Sequence, residues 1–372
     1  MAKAVSFMGL RLKSPVIAAA GPWSRDHAAI QRAIDAGAAA VVTETITLEG
    51  SGMIYPRIYE RNGELLNTTL YSTLPFEAWE DELRKIDKKD SHIICNIRGG
   101  TPSELSYIAA HMERWGADGL ELCPFTPIGA KLENVSTSPD EIYEMLHRVV
   151  ETVAIPVSVR LPSHLACTRA FVKAVERAGV RAICTNETMK ALWGVDIERR
   201  VSRVPTFGGY SGPHLLPVTL ATVATLSQLT NCEIAAMGGI QTAENALECI
   251  MLGASAVQLG SAVLLQGYEA ISRISAALGD WTAMHGVDEY AELQGAALSS
   301  LASFEEIAPC PMRARLRSDA DPSAHSRTLL AACRKACLQG AVAADMTVDE
   351  TRCDGCGLCV SKLPQLYEMK RI

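Results

Sequence analysis

No run of apolar residues in this chain reaches the roughly 18–20 that a membrane-spanning helix needs. None follows the N-terminal Lys3, Arg11 and Lys13 in the manner of a secretion signal. The expectation is a cytoplasmic protein with no membrane partner. Basic blocks are also missing and the formal net charge is −7, which sets nucleic acid aside. No G-x-G-x-x-G follows a strand candidate, so a nicotinamide cofactor has no evident seat on this chain. Without a secretion signal, the twelve cysteines are a poor disulfide framework.

The 372 residues, 48% of them hydrophobic, are enough for a barrel of roughly 250–300 residues and a small appendage. Short β-branched or apolar runs at 16–19, 40–45, 93–97, 119–123, 157–161, 182–185, 233–237 and 256–259 read as strands. Amphipathic stretches at 104–115, 139–153, 166–178 and 242–252 lie between them. Strand and helix in alternation imply parallel strands joined by right-handed crossovers. Eight such units favour an α/β fold of the (β/α)8 TIM-barrel type over an open sheet. Intervals 48–90, 123–138 and 198–217 break the rhythm. All follow strand C-terminal ends, where barrel active sites sit; the first is expected to place a small hairpin over the mouth. The expected domains are 1–305, the barrel, and 306–372, a linker, a last helix and a cysteine-rich tail.

Six cysteines (Cys95, Cys123, Cys167, Cys184, Cys232, Cys249) are scattered in apolar surroundings and read as small core residues. The other six begin at Cys310. Among them Cys353, Cys356 and Cys359 form C-x2-C-x2-C, which lets three thiolates wrap one [4Fe–4S] cubane, with Gly355 and Gly357 freeing the backbone to approach it. The bacterial ferredoxin run continues x3-C-P, but here Leu363 precedes Pro364. In two-cluster ferredoxins each run lends its fourth cysteine to the other cluster. A degraded upstream run ends in Cys333 and Cys337, with Arg327 and Leu330 where two more ligands would stand. The losses at Arg327, Leu330 and Leu363 all fall on one cluster. The other keeps Cys337, Cys353, Cys356 and Cys359, in a degenerate ferredoxin-like domain. Cys333 competes with Cys337 as fourth ligand. A four-thiolate zinc knuckle is the rival reading, though the close triple spacing suits a cubane better.

Met237-Gly238-Gly239-Ile240 and Leu259-Gly260-Ser261-Ala262 end the seventh and eighth strands. Barrels commonly bind phosphate there through backbone N–H groups; the alternative is two tight turns. With these loops, the chain resembles the dihydroorotate dehydrogenase family, and within it the iron–sulfur dihydropyrimidine dehydrogenases. The resemblance spans roughly 5–300. It is carried by Ser14-Pro15-Val16-Ile17-Ala18-Ala19-Ala20-Gly21-Pro22, Gly116-Ala117-Asp118-Gly119-Leu120-Glu121-Leu122, Gly208-Gly209-Tyr210-Ser211-Gly212-Pro213, and Gly253-Ala254-Ser255-Ala256-Val257-Gln258-Leu259-Gly260-Ser261-Ala262.

The resemblance implies FMN. Its phosphate would lie on Gly212, Gly239, Gly260 and Ser261, beside Ser211 and Gly238. Ala19, Ala20 and Gly21 would run along the isoalloxazine, with Asn96 near its polar edge. The family's lysine on the fifth strand is Arg160 here, which keeps the fixed positive charge. A second family lysine is replaced by Glu44. The loop after the fourth strand departs most: Thr126 takes the position of the catalytic base, and two pyrimidine-gripping asparagines become Cys123 and Ile128. Asn67 and Asn186 remain as substrate-facing amides. A threonine is a poor base without a partner, so Thr126 is either a proton-transfer group or a simple hydrogen-bonding one. Losing two amides favours a ligand less polar than a pyrimidine.

The resulting expectation is an oxidoreductase with FMN and a [4Fe–4S] cluster. It would move a hydride to or from a C–C bond conjugated to a carbonyl or imine. Electrons would pass to ferredoxin or an NAD(P)H-oxidising flavoprotein subunit, in a homo- or hetero-oligomer. A non-catalytic electron-transfer subunit and a non-redox flavin-dependent lyase or isomerase stay open as alternatives.

Overall fold

The eight apolar runs form eight parallel strands: β1 Val16–Ala18, β2 Ala40–Val42, β3 His92–Ile97, β4 Gly119–Leu122, β5 Val157–Arg160, β6 Ala182–Cys184, β7 Glu233–Met237 and β8 Ala256–Leu259. Each pairs with the next and β8 returns to β1, closing the barrel. The computed structural model describes residues 3–124, 138–185 and 188–372. Contacts divide the chain into two compact units, Met1–Ser300 and Leu301–Ile372.

A main helix follows each strand: α1 His27–Asp35, α2 Ala78–Arg84, α3 Pro102–Arg114, α4 Pro139–Val150, α5 Arg169–Arg177, α6 Leu216–Leu229, α7 Ala243–Met251 and α8 Glu269–Met284, with the shorter helices Ser163–Ala166 before α5 and Ser261–Gln266 before α8. Several starts are written in the sequence. Asp26, Thr101, Ser138 and Thr242 each accept a backbone N–H of the first turn, and Pro102 and Pro139 stand at the first helical position, where a missing N–H costs nothing. No helix among the described residues is long and apolar enough to cross a membrane.

Side chains alternate across each strand. Val16, Val41, Ile93, Leu120, Val159, Ile183, Ile234 and Val257 face outward and join the helices in one buried cluster. Ile17, Val42, Ile94, Cys184, Ala235 and Ala256 belong to a second cluster inside the barrel. Phe7, Met8 and Leu12, from the N-terminal hairpin Val5–Phe7 and Leu10–Leu12, join it. Met8 N–H donates to Glu233, the first residue of β7, so this hairpin plugs the end at which the strands begin.

Interval 48–90 holds the expected hairpin, Ile58–Arg61 against Glu64–Asn67. Asn62 and Gly63 both have positive φ at its turn, the usual Asn-Gly solution for two-residue hairpins. The glycine-rich stretch after β6 is strand, contrary to its reading as a loop. Gly208–Ser211 pairs with Glu64–Asn67 on one side and Met189–Ala191 on the other, making a four-stranded antiparallel sheet.

In Leu301–Ile372 the expected linker contains a strand, Met312–Leu316, paired antiparallel with Tyr367–Arg371. Helices Arg327–Ala336 and Leu358–Lys362 and an isolated bridge between Val342 and Val348 complete the unit. Its core gathers Cys333, Val342, Met346, Leu363, Leu366 and Tyr367, with Leu330 packed against it. Cys333 and Leu363 are each 1% exposed.

Candidate active site

The inward phase of the barrel changes character toward the strands' C-terminal ends. Asn96 of β3, Glu121 of β4, Ser158 and Arg160 of β5 and Gln258 of β8 are all buried. While the Ser158 hydroxyl donates to Leu120 O at 3.1 Å, Glu121, 1% exposed, binds Asn96, Arg160 and Gln258 together. Its Oε1 accepts from Asn96 Nδ2 at 2.8 Å and from Arg160 Nη2, and its Oε2 accepts from Gln258 Nε2 at 2.7 Å. A buried guanidinium is tolerable only with such a counter-charge. Cys184 stands beside this pair, and burial, reinforced by the Glu121 charge, pushes its thiol well up.

Above the network lies a pocket that gathers Ala19, Ala20, Gly21, Asn67, Arg160, Ser211, Gly238, Gly239, Gly260 and Ser261. These ten positions come from the exits of β1, β5, β7 and β8 and from the four-stranded sheet. Trp23, Thr188, Leu215, Met237, Ile240, Gln258 and Leu264 also line it. Asn67 Oδ1 accepts the N–H of Thr69 at 2.9 Å, leaving its amide N–H groups as the end offered to a ligand. Gly212 lies next to Ser211, at the start of the turn Pro213–Leu215. Asn96 belongs to the network below. Cys123 is buried just past β4, its N–H on Ile97 O at 3.0 Å. Thr126, Ile128 and Asn186 lie outside the described residues.

The residues present fit FMN. At Gly239, with φ +77°, a Cβ would stand 2.3 Å from Leu216 N, and at Gly212, with φ +125°, 2.4 Å from Gly63 O. Only glycine allows the backbone approach that a phosphate needs here. At the other end, Asn96 Oδ1 and Gln258 Oε1 are buried with no partner among the described residues. Buried acceptors without a donor are costly, and an imide N–H such as that of a flavin would satisfy one.

Glu44 follows β2, 6% exposed, with its N–H on Ser24 O at 3.1 Å. Burial pushes its carboxyl up to about 7, against the pull of Arg57 and Arg25. The folded chain therefore keeps a proton here that the unfolded chain has lost above about pH 4.5. Stability from this group is full below that pH and falls as pH rises toward 7, by roughly 3 kcal/mol in all. Glu44→Gln should remove that fall. Urea titrations of both proteins from pH 4.5 to 7.5 check it: the variant gains on the parent as pH rises, and parallel curves would refute the assignment.

Sequence reasoning missed Glu121, Gln258, Trp23 and Thr188. A signal existed for the first two: each is the polar residue inside an otherwise apolar strand, Gly-Leu-Glu-Leu and Ala-Val-Gln-Leu. Trp23, whose indole N–H donates to Ala19 O at 2.6 Å, carries no such mark.

No disulfide joins any of the twelve cysteines. Cys95, Cys123, Cys184 and Cys249 are buried as expected, but Cys232 is only partly buried and Cys167 is exposed at the end of a short helical turn. Among the described residues no three His, Cys, Asp or Glu side chains are gathered as a metal-ion site. The local backbone around the tail cysteines is nevertheless specialised. Ala341 N–H donates to Cys337 Sγ at 3.3 Å, and a Cβ on Gly355 would stand 2.2 Å from Met312 O.

A family model for dihydroorotate dehydrogenase matches residues 2–281. The chain is 33% identical over 301 residues to the catalytic subunit of dihydroorotate dehydrogenase B (NAD(+)) from Pyrococcus abyssi, covering 79% of this chain and 98% of that protein. The corresponding subunit from Pyrococcus horikoshii is 32% identical over 301 residues, covering 79% and 97%. Among solved structures, the dihydroorotate dehydrogenase of Eimeria tenella in complex with ferulenol superposes with a TM-score of 0.67 at 18% identity, over 79% of this chain and 88% of that one, a likeness of fold. The chain belongs to the dihydroorotate dehydrogenase family and is a flavin-dependent oxidoreductase acting on CH–CH bonds.

Proposed function

We propose that this chain binds FMN in the barrel mouth and moves a hydride to or from a C–C bond conjugated to a carbonyl or imine. We further propose that a [4Fe–4S] cluster on Cys337, Cys353, Cys356 and Cys359 relays electrons to an external partner. One observation carries the first part: a single pocket brings together the glycine loops after β7 and β8, Ala19 to Gly21, Arg160 and Asn67. When bound, FMN supplies the hydride chemistry. The protein's share is position and charge. Gly212, Gly239, Gly260 and Ser261, with Ser211 and Gly238, hold the phosphate. Arg160 sets a fixed positive charge against the pyrimidine-like edge, tempered by Glu121. Asn67 and Asn186 orient the substrate through amide groups, Cys123 and Ile128 give its pocket an apolar wall, and Thr126 passes the proton.

The cluster reading draws support from the tail. Leu330 and Leu363, where a second cluster would need ligands, pack with Cys333 in an apolar core. Cys337, which packs at the edge of the same core, also receives an amide N–H on its sulfur, as a ligating thiolate does. An iron–sulfur cluster supplies one-electron transfer when bound. The relatives' names, catalytic subunits of an NAD(+) enzyme, favour a separate redox partner that handles the nicotinamide. Twelve cysteines outside disulfides accord with a reducing cytoplasm.

Protein purified without oxygen should carry about one FMN and about four irons per chain. Eight irons, or stoichiometric zinc, would overturn the single-cluster reading. Photoreduced protein should then be reoxidised by an α,β-unsaturated carbonyl or imine. Full cofactor content with no substrate-dependent reoxidation across such a panel would instead favour an electron-transfer subunit.

A further inference from the structure

A carboxylate only accepts hydrogen bonds. Asn96 and Gln258 must therefore turn their nitrogens toward Glu121, at 2.8 and 2.7 Å, and their oxygens away. Those two oxygens, Asn96 Oδ1 and Gln258 Oε1, are the buried acceptors that have no partner among the described residues. The same carboxylate holds Arg160, whose guanidinium has only donors to offer. Gln258 and Arg160 both line the pocket. One buried residue thus decides, for two amides on two other strands, which end of each side chain is turned away from it.

We infer that Glu121 is a positioning residue that sets the hydrogen-bonding polarity of the flavin site, holding Gln258 so that its amide oxygen is the acceptor for the imide N–H of FMN, with Arg160 beside it as a donor. The inference rests on the FMN reading. An imide presents one N–H donor between two carbonyl acceptors, and the pocket floor presents Gln258 Oε1 to answer the N–H and Arg160 to answer a carbonyl. An amide at position 121 would abolish the rule. Glutamine can donate as well as accept, so Asn96 and Gln258 would be free to present either end.

The test is a double-mutant cycle read on FMN affinity, because two positions in contact couple in stability whatever their role, and only a positioning role carries that coupling into flavin binding. Full-length protein is stripped of flavin and titrated with FMN as parent, Glu121→Gln, Gln258→Met and the double variant. Gln258→Met should weaken FMN by about 10-fold in the parent, the loss of one oriented acceptor, and by less than about 3-fold once position 121 is Gln. Equal losses in both backgrounds would overturn the inference. Glu121→Gln also leaves Arg160 without its counter-charge and is liable to unfold. The parent with FMN labelled with 15N at N3 then decides alone. The N3–H proton should be shifted downfield and slow to exchange, and a solvent-like signal would overturn the inference. Should the parent bind no FMN at all, the flavin reading itself fails; should it bind FMN with an additive cycle, only the role of Glu121 fails.

Discussion

Photoreduced protein mixed with orotate, uracil or thymine should keep its flavin reduced on the timescale of seconds, and dihydroorotate should fail to reduce the oxidised protein at a useful rate. This expectation runs against the names of the relatives, and its grounds are two side chains. Where the family resemblance calls for asparagines gripping a pyrimidine, this chain has Cys123 and Ile128. Each missing amide leaves a polar edge of the pyrimidine unpaired, at roughly 1–3 kcal/mol per buried group. Two such losses weaken binding by about 30- to 10,000-fold. The thiol of Cys123 is buried and is at best a weak donor. Asn67, which lines the pocket, and Asn186 are the amides that the proposed site keeps, enough to answer one edge of the ring and not the other. Stopped-flow reoxidation by uracil or orotate within seconds would show that the pyrimidine site survives.

The second large effect concerns the tail. Cys337→Ser should abolish the cluster, reducing bound iron from about four per chain to almost none. Cys333→Ala should leave iron content near that of the parent and lower the melting temperature instead. Cys333 is 1% exposed among Val342, Leu363, Leu366 and Tyr367, so its loss is that of a small core group, about 1 kcal/mol. Cys337 is only partly buried and sits at the end of its helix, with an amide on its sulfur. Iron content and electron paramagnetic resonance of the reduced protein, read alongside thermal melts, separate the two outcomes. Equal iron loss in both variants, or a reversed order, would refute the assignment.

What the sequence could disclose here followed from periodicity. All eight barrel strands were legible because each is a short apolar run with helix-forming residues between it and the next. Helix starts such as Ser138-Pro139 announce themselves through local chemistry. Of the ten pocket residues, Gly238, Gly239, Gly260 and Ser261 were readable as glycine turns at strand ends, and Ala19, Ala20, Gly21, Asn67, Arg160 and Ser211 came from the family resemblance. What escaped depends on partners distant in the chain. Gly208 to Ser211 has the composition of a loop and becomes strand because Glu64–Asn67 stands ready to pair with it. Met312–Leu316 looked like linker because its partner, Tyr367–Arg371, is the last strand of the chain. Glu121 was quoted as part of a matching stretch, yet its three bonds come from β3, β5 and β8. Cys167 was taken for a core residue from its neighbours' hydrophobicity, which does not reveal that it falls at the exposed end of a turn.

The sheet that carries Asn67 and Ser211 has a bearing on the order in which this protein folds. Its two halves come from the excursions after β2 and β6. Contacts between segments so far apart form late, because the intervening chain must first be ordered. The chain between Leu66 and Tyr210 holds β3 to β6, the stretch that has to be ordered before the two can pair. Amides of Glu64–Asn67 and Gly208–Ser211 should accordingly gain protection late in pulse-labelled hydrogen exchange during refolding, well after those of β3 and β4, which are neighbours in sequence and in space. A nascent chain that has not yet delivered Gly208 has the lower barrel strands but no ligand mouth, so cofactor capture belongs to the completed barrel and cannot guide its early assembly.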